Sequence, residues 1–112
     1  MLDALLTSIE WHDLPVATLS ITERGIELVV TPWMESTGAY ARYALRITDP
    51  ENLQLNVNGA FSAKDFGGLE VSKFGYTFSP TELMSGTIGI LPGDAGYWTI
   101  SFVNALWSFD TI

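Results

Sequence analysis

The residues with the most capacity for chemistry stand together near the start of the chain, in the stretch SIEWHDLPV at positions 8–16, where the single histidine, His12, lies between Trp11 and Asp13. A histidine beside a carboxylate is what a general base with its orienting acid needs, and it is half of a metal site. It is also what a chain corner looks like. Counting limits the first two readings. A zinc site without cysteine draws on two or three imidazoles, and this chain has one histidine and no cysteine. A hydrolytic triad needs a Ser or Thr hydroxyl within reach of His12 and a carboxylate behind it. Asp13 is poorly placed for that role in an extended segment, where neighbouring side chains point to opposite faces. The corner reading has Ile9 and Trp11 facing inward on a short strand and Glu10 and His12 facing out. Asp13 then opens a turn, its carboxylate accepting backbone N–H bonds, and Pro15 fixes φ on the way into the next strand.

Other chemistries leave weaker traces. The sequence has no phosphate-cradling loop, nucleophile elbow, paired-histidine motif or dinucleotide fingerprint, and FGGLE at 66–70 has glycines without a following helix. No Asp-x-Asp-x-Asp loop is present for calcium. Glycosidase work needs two acids about 5 to 10 Å apart across a cleft, and nothing in the spacing of Glu10 and Glu27, or of Glu35 and Glu70, requires them to meet. No cofactor is expected.

The elements that must position these residues are strands. Period-2 alternation dominates the chain, and no long helical period is found. Residues 2–9 fit a short helical turn or a direct lead into a strand. Ala17, Leu19 and Ile21 alternate with polar residues, TERG reads as a tight turn with Gly25 at positive φ, and Ile26, Leu28 and Val30 return on one face, so residues 16–31 form a hairpin. Pro32 and MESTG break the pattern before a strand over 40–48, with Tyr43, Leu45 and Ile47 inward and Arg42 and Arg46 outward. DPEN then reads as the turn of a second hairpin, with Leu53, Leu55 and Val57 inward on the return. The stretch 59–68 is loop-like. A parity slip near Lys73, between Val71 and the row Phe74, Tyr76 and Phe78, predicts a β-bulge. SPTELM has the residues of a single capped helical turn. The last strands are TIGIL, a turn at PGDAG, and a segment whose parity switches from Trp98, Ile100 and Phe102 to Val103, Ala105, Trp107 and Phe109. Together these predict one domain over 1–112, all-β or β-rich with one short helical turn: an antiparallel sandwich, a strongly curved sheet or a small barrel of about seven strands.

Composition restricts the partners. The 112 residues are 47% hydrophobic and 16% charged, enough apolar material for one real core. The formal charge of −8 repels a phosphate backbone, which excludes nucleic acid and anionic membranes as good partners and favours a basic protein instead. No apolar run approaches a membrane span, and MLDALLTSIE lacks a basic leader, which leads to a cytoplasmic expectation. Among the aromatics, Trp33, Trp98 and Trp107 fall in or beside inward sets, whereas Tyr40 and Tyr97 fall on the opposite, exposed parity. Exposed aromatics beside acids suit a protein interface, and the candidate contact set is Glu10, His12, Asp13, Tyr40, Arg42 and Tyr97.

The order of features resembles a loose group of small acidic bacterial proteins: a short hydrophobic lead, the WHD corner, the hairpin LSITERGIELVV, the strand YARYALRI and a final strand ending WTISFVNALWSF. Some of that group are proposed as immunity proteins of polymorphic toxin systems. The resemblance implies a β-rich, non-enzymatic protein that binds a toxin domain or another protein partner. The Gly- and Phe-containing loop at 59–68 departs from the pattern. The leading expectation is therefore a non-enzymatic binding module that captures a basic partner. The alternatives are a ligand-binding or hydrolytic protein with a pocket between sheets, and a homo-oligomer held by sheet edges.

Overall fold

A computed structural model describes residues 4–59, 62–92 and 96–112. A helical turn, α1 (Ala4–Ser8), leads into β1 (Leu14–Thr22), β2 (Gly25–Val30), β3 (Trp33–Met34), β4 (Ala39–Tyr40), β5 (Tyr43–Thr48) and β6 (Asn52–Asn58). A 3-10 turn (Ala63–Gly68) then connects to β7 (Leu69–Phe78), β8 (Met84–Pro92) and β9 (Tyr97–Thr111). All pairings are antiparallel. Seven strands run in the order β5-β2-β1-β7-β8-β9-β6, β5 also pairs with β9, and β3 and β4 form a separate two-stranded ribbon. The β5–β9 pairing curls the large sheet into a ring, flattened to 40 × 38 × 19 Å. The antiparallel β architecture of about seven strands expected from the alternation is the one observed.

The ring is closed unevenly. β1 meets β7 only at Leu14↔Val71 and Pro15↔Glu70, after which the two strands part. Both are bulged at the parting: β1 shifts register between Val16 and Thr18, and β7 between Val71 and Lys73, where the slip was expected. An aromatic row runs along β7 beside the split. Trp11, Phe74, Tyr76, Phe78 and Trp107 follow one another with ring centroids 4.9, 4.7, 5.7 and 5.3 Å apart. The i, i+2 spacing of Phe74, Tyr76 and Phe78 places all three on one face of the strand. Beneath lies one continuous core that includes Leu6, Leu28, Leu45, Ile88, Ile100 and Phe102.

Several sequence expectations are corrected. DPEN does not reverse the chain: β5 and β6 both run antiparallel to β9, with Thr48↔Leu106 and Asn52↔Val103, so residues 49–51 are a kink in one long strand. Asp49 (φ 50°) faces a matching kink at Asn104 (φ 48°), and the Asn104 amide donates to Glu51 Oε2 at 3.1 Å. Asn and Asp tolerate this left-handed region better than other non-glycine residues. Leu55 and Val57 share a face with Ile100 and Trp98 yet stay 46% and 47% exposed, because β2 has already turned back at Gly25↔Thr48 and, among the described residues, no strand lies along the side of β6 away from β9. Ala17, the extra residue of the β1 bulge, and Ile21 beyond it are also exposed. The expected strand over 40–48 is broken, since the Ala41 N–H leaves the ladder to donate to the Pro32 carbonyl at 2.9 Å.

SPTELM is a hairpin loop and not a helical turn. The Ser79 hydroxyl accepts from the N–H groups of Thr81 and Leu83, and Glu82 has φ 67°, outside the helical range. The helix-type cap is instead at 62–65, inside the stretch read as loop, where Asp65 Oδ2 accepts from the Ser62 N–H at 2.7 Å. The central residues of the expected PGDAG turn, 93–95, lie outside the described residues.

Candidate functional site

The corner is seated by its apolar residues. Leu6, Ile9 and Trp11 are 1%, 7% and 8% exposed. The indole N–H of Trp11 donates to the Leu6 carbonyl at 3.1 Å, and its ring packs edge-on against Phe74 and tilted against Phe109. The side chains of Glu10 and His12 face outward as expected. The segment is a turn, however, and not the expected strand. Asp13 has φ 61°, so the alternation of faces does not apply to it. Its carboxylate, expected on backbone N–H groups, comes back beside the imidazole, with Oδ2 3.4 Å from His12 Nε2.

The other ring nitrogen, Nδ1, lies 3.0 Å from the Ser72 carbonyl. A carbonyl only accepts, so Nδ1 carries the proton. Ser72 is the residue left unpaired by the β7 bulge between Val71 and Lys73, which frees its carbonyl from the ladder for this bond. With one nitrogen bound to a carbonyl and the other facing a carboxylate, both neighbours favour the protonated ring. Its pKa is raised above 6.5 first by the Ser72 carbonyl and then by Asp13, with Glu10 and Glu70 adding to the effect. His12 thus meets a carbonyl and a carboxylate where a triad would place a hydroxyl.

The facing wall is the β3–β4 ribbon. Pro32, which cannot donate to a ladder, ends β2. A turn with the Gly38 N–H bonded to the Met34 carbonyl (2.9 Å; Gly38 φ 65°) then pairs Trp33 with Tyr40. Because the ribbon pairs only with itself, Trp33 is not core as expected but 54% exposed, and Tyr40 is 69% exposed. Their rings meet edge to face at 5.1 Å. Of the other tryptophans assigned to the core, Trp98 is buried, while Trp107 is half-buried against Phe78 with its indole N–H bonded to the Glu82 carbonyl.

Corner and ribbon enclose a groove of about 630 Å³. It gathers Glu10, His12, Asp13 and Tyr40 from the expected contact set and adds Trp33 and Glu35, with no lysine or arginine among its lining residues. Arg42 and Tyr97 do not line it. Arg42 sits exposed in the break before β5, and its carbonyl accepts from the Ile112 N–H. Tyr97 is half-buried, and its hydroxyl accepts from Ser72 Oγ at 3.3 Å, the same residue whose carbonyl holds His12. Trp33 was missed because it stood beside an inward-facing set, and Glu35 because it fell in the MESTG break and was weighed only against Glu70. The signal that could have found them is Pro32 followed by the ESTG turn, which isolates a ribbon too short to have an inner face.

Elsewhere, Glu27 is paired with Arg46 at 2.9 Å and Arg24 with Asp49 at 3.1 Å. Among the described residues, no three His, Asp or Glu side chains gather to hold a metal ion, and no helix is long and apolar enough to cross a membrane. No family model, curated protein or solved structure matches this chain.

Proposed function

We propose that this protein is a non-catalytic binding module that captures a basic protein segment in the groove between the His12 corner and the β3–β4 ribbon. One observation carries the reading: the exposed Trp33–Tyr40 pair shares a groove with Glu10, Asp13 and Glu35, and no lysine or arginine lines it. An arginine or lysine side chain is attracted to an aromatic face and neutralised by the flanking carboxylates. Exposed Trp and Tyr are the residue types that most often dominate binding energy at protein interfaces. The net charge of −8 steers a cationic partner toward the molecule and speeds its encounter. In its specific form the partner is a basic toxin domain, as the resemblance to immunity proteins implies.

The test is a titration followed by tryptophan fluorescence, using an Arg/Lys-rich peptide, an acidic peptide of equal length and a neutral oligosaccharide. Trp33 is the only tryptophan with more than half its surface exposed among the four, so its emission reports the groove. The basic peptide should bind, more weakly as salt rises. Measured by calorimetry, because Trp33→Ala removes the fluorescent reporter itself, affinity should fall at least about tenfold in Trp33→Ala and in the triple variant Glu10→Gln, Asp13→Asn, Glu35→Gln, each with unchanged melting temperature. Equal binding of the acidic peptide or the oligosaccharide, or basic-peptide binding indifferent to both variants, would overturn the reading.

A further inference from the structure

We infer that β6 is a self-pairing edge through which two copies of this chain join, β6 against β6 in antiparallel register centred on Leu55. This inference is independent of the groove. Among the described residues, the stretches of the large sheet with an unpaired side are β1 beyond Thr18, β7 beyond Lys73, β9 beyond Ala105, and the whole of β6. An open edge is a template for pairing, and proteins blunt such edges with bulges, charges or proline. The first three carry such protection. β1 is bulged at Val16/Thr18 and is followed by Glu23 and Arg24, β7 is bulged at Val71 and bears Lys73 at the start of its free portion, and the open part of β9 follows an irregularity at Met84/Gly86, bears Asp110 and sends the Trp107 indole N–H to the Glu82 carbonyl.

β6 carries none. Its seven residues, NLQLNVN, pair with β9 in unbroken register from Asn52↔Val103 to Asn58↔Tyr97, with neither charge nor proline. In a molecule of net charge −8, this neutral edge is where a second copy approaches at the lowest electrostatic cost. The sequence is also complementary to itself. With Leu55 opposite Leu55 of the second copy, Leu53 faces Val57, Gln54 faces Asn56 and Asn52 faces Asn58. Every apolar residue then meets an apolar one and every amide meets an amide, each amide able both to donate and to accept. The pairing covers Leu55 and Val57, now 46% and 47% exposed, and satisfies the outward backbone groups of β6. The interface is isologous, as a two-fold dimer requires, and it leaves the ribbon and the corner free.

Sedimentation velocity from about 10 μM to about 1 mM should show a monomer–dimer equilibrium. Leu55→Lys sets two ammonium groups opposite each other at the axis. The pair Gln54→Lys and Asn56→Lys does the same on the polar face without touching the apolar row. Each variant should stay folded by circular dichroism and raise the dimer dissociation constant at least about tenfold. Because the chain has no cysteine, oxidation of Leu55→Cys should give a cross-linked dimer, whereas Leu106→Cys, exposed on β9 away from this edge, should not. A monomer across the whole range, a dimer that survives in both lysine variants, or equal cross-linking of the two cysteine variants would overturn the inference.

Discussion

Trp11 holds the groove in place, and its replacement measures how firmly. The ring is 8% exposed, packs against Phe74 at 4.9 Å and Phe109 at 5.5 Å, and its indole N–H reaches the Leu6 carbonyl at 3.1 Å. Truncating a buried aromatic to alanine costs roughly 3 to 5 kcal/mol in transfer and cavity terms. The lost hydrogen bond leaves the Leu6 carbonyl in need of a partner and adds about 1 kcal/mol. Domains of this size are stable by only about 5 to 15 kcal/mol, so Trp11→Ala should leave a marginally folded protein. Trp11→Phe keeps most of the ring volume but loses the N–H, and should cost about 1 to 2 kcal/mol. Urea unfolding followed by circular dichroism gives both values, provided the slope against denaturant stays constant between variants. If Trp11→Ala costs less than about 1 kcal/mol, the segment carrying His12 is not docked through this ring, and the groove has no fixed wall.

Two further outcomes follow from the same geometry. As the sole histidine, His12 gives one unambiguous imidazole signal in a proton NMR titration; its midpoint should lie above 6.5, and Asp13→Asn should lower it without removing the contribution of the Ser72 carbonyl. Because the folded pKa is raised, the stabilisation from His12 is complete below pH 6.5 and is lost as pH rises through the folded midpoint, so a midpoint at or below 6.5 contradicts the two-acceptor geometry. Gly25 has φ 142°, and an added Cβ would run into the Ile47 carbonyl across the β2–β5 pair. Gly25→Ala should therefore lower stability by at least about 2 kcal/mol in the same urea assay, and a neutral result would show that the hairpin tip can shift away from β5.

Where the chain obeys the period-2 rule on a fully paired strand, the sequence was readable. Ile26, Leu28 and Val30 on β2, and Tyr43, Leu45 and Ile47 on β5, are buried as their alternation indicates. The bulge before Lys73 and the parity switch in the last strand were legible too, because a one-residue slip leaves a mark in the apolar pattern, although Val103, read with the second inward set, is 41% exposed because the kink falls after it, at Asn104. The exposure of Leu55 and Val57 was not legible: alternation says which face a residue takes, but not whether a neighbouring strand continues alongside to cover it. Nor was the course of the chain at DPEN, whose residues suit a reversing turn and an in-line kink equally. What decides between them is the long-range partner, β9, with its own kink at Asn104. Trp33 was misplaced for a related reason, since two residues of strand look like the start of a longer one until Gly38 turns the chain back.

Each part of the groove arises where a ladder is interrupted. Asp13 reaches His12 because its backbone is left-handed, Ser72 can accept from His12 because the β7 bulge takes it out of register with β8, and Trp33 faces solvent because Pro32 ends β2. None of these interruptions is needed to build the core, which is complete beneath them. The bulges on β1 and β7 also part the two strands, so the corner closes the split through Trp11 and the aromatic row, while His12 bridges to β7 at its edge. A binding surface made this way inherits its rigidity from the core side of the same residues. That explains why the contacts fixing His12 come from Trp11 packing and from the Ser72 backbone, and why its ring remains in solvent beside two groove-lining acids.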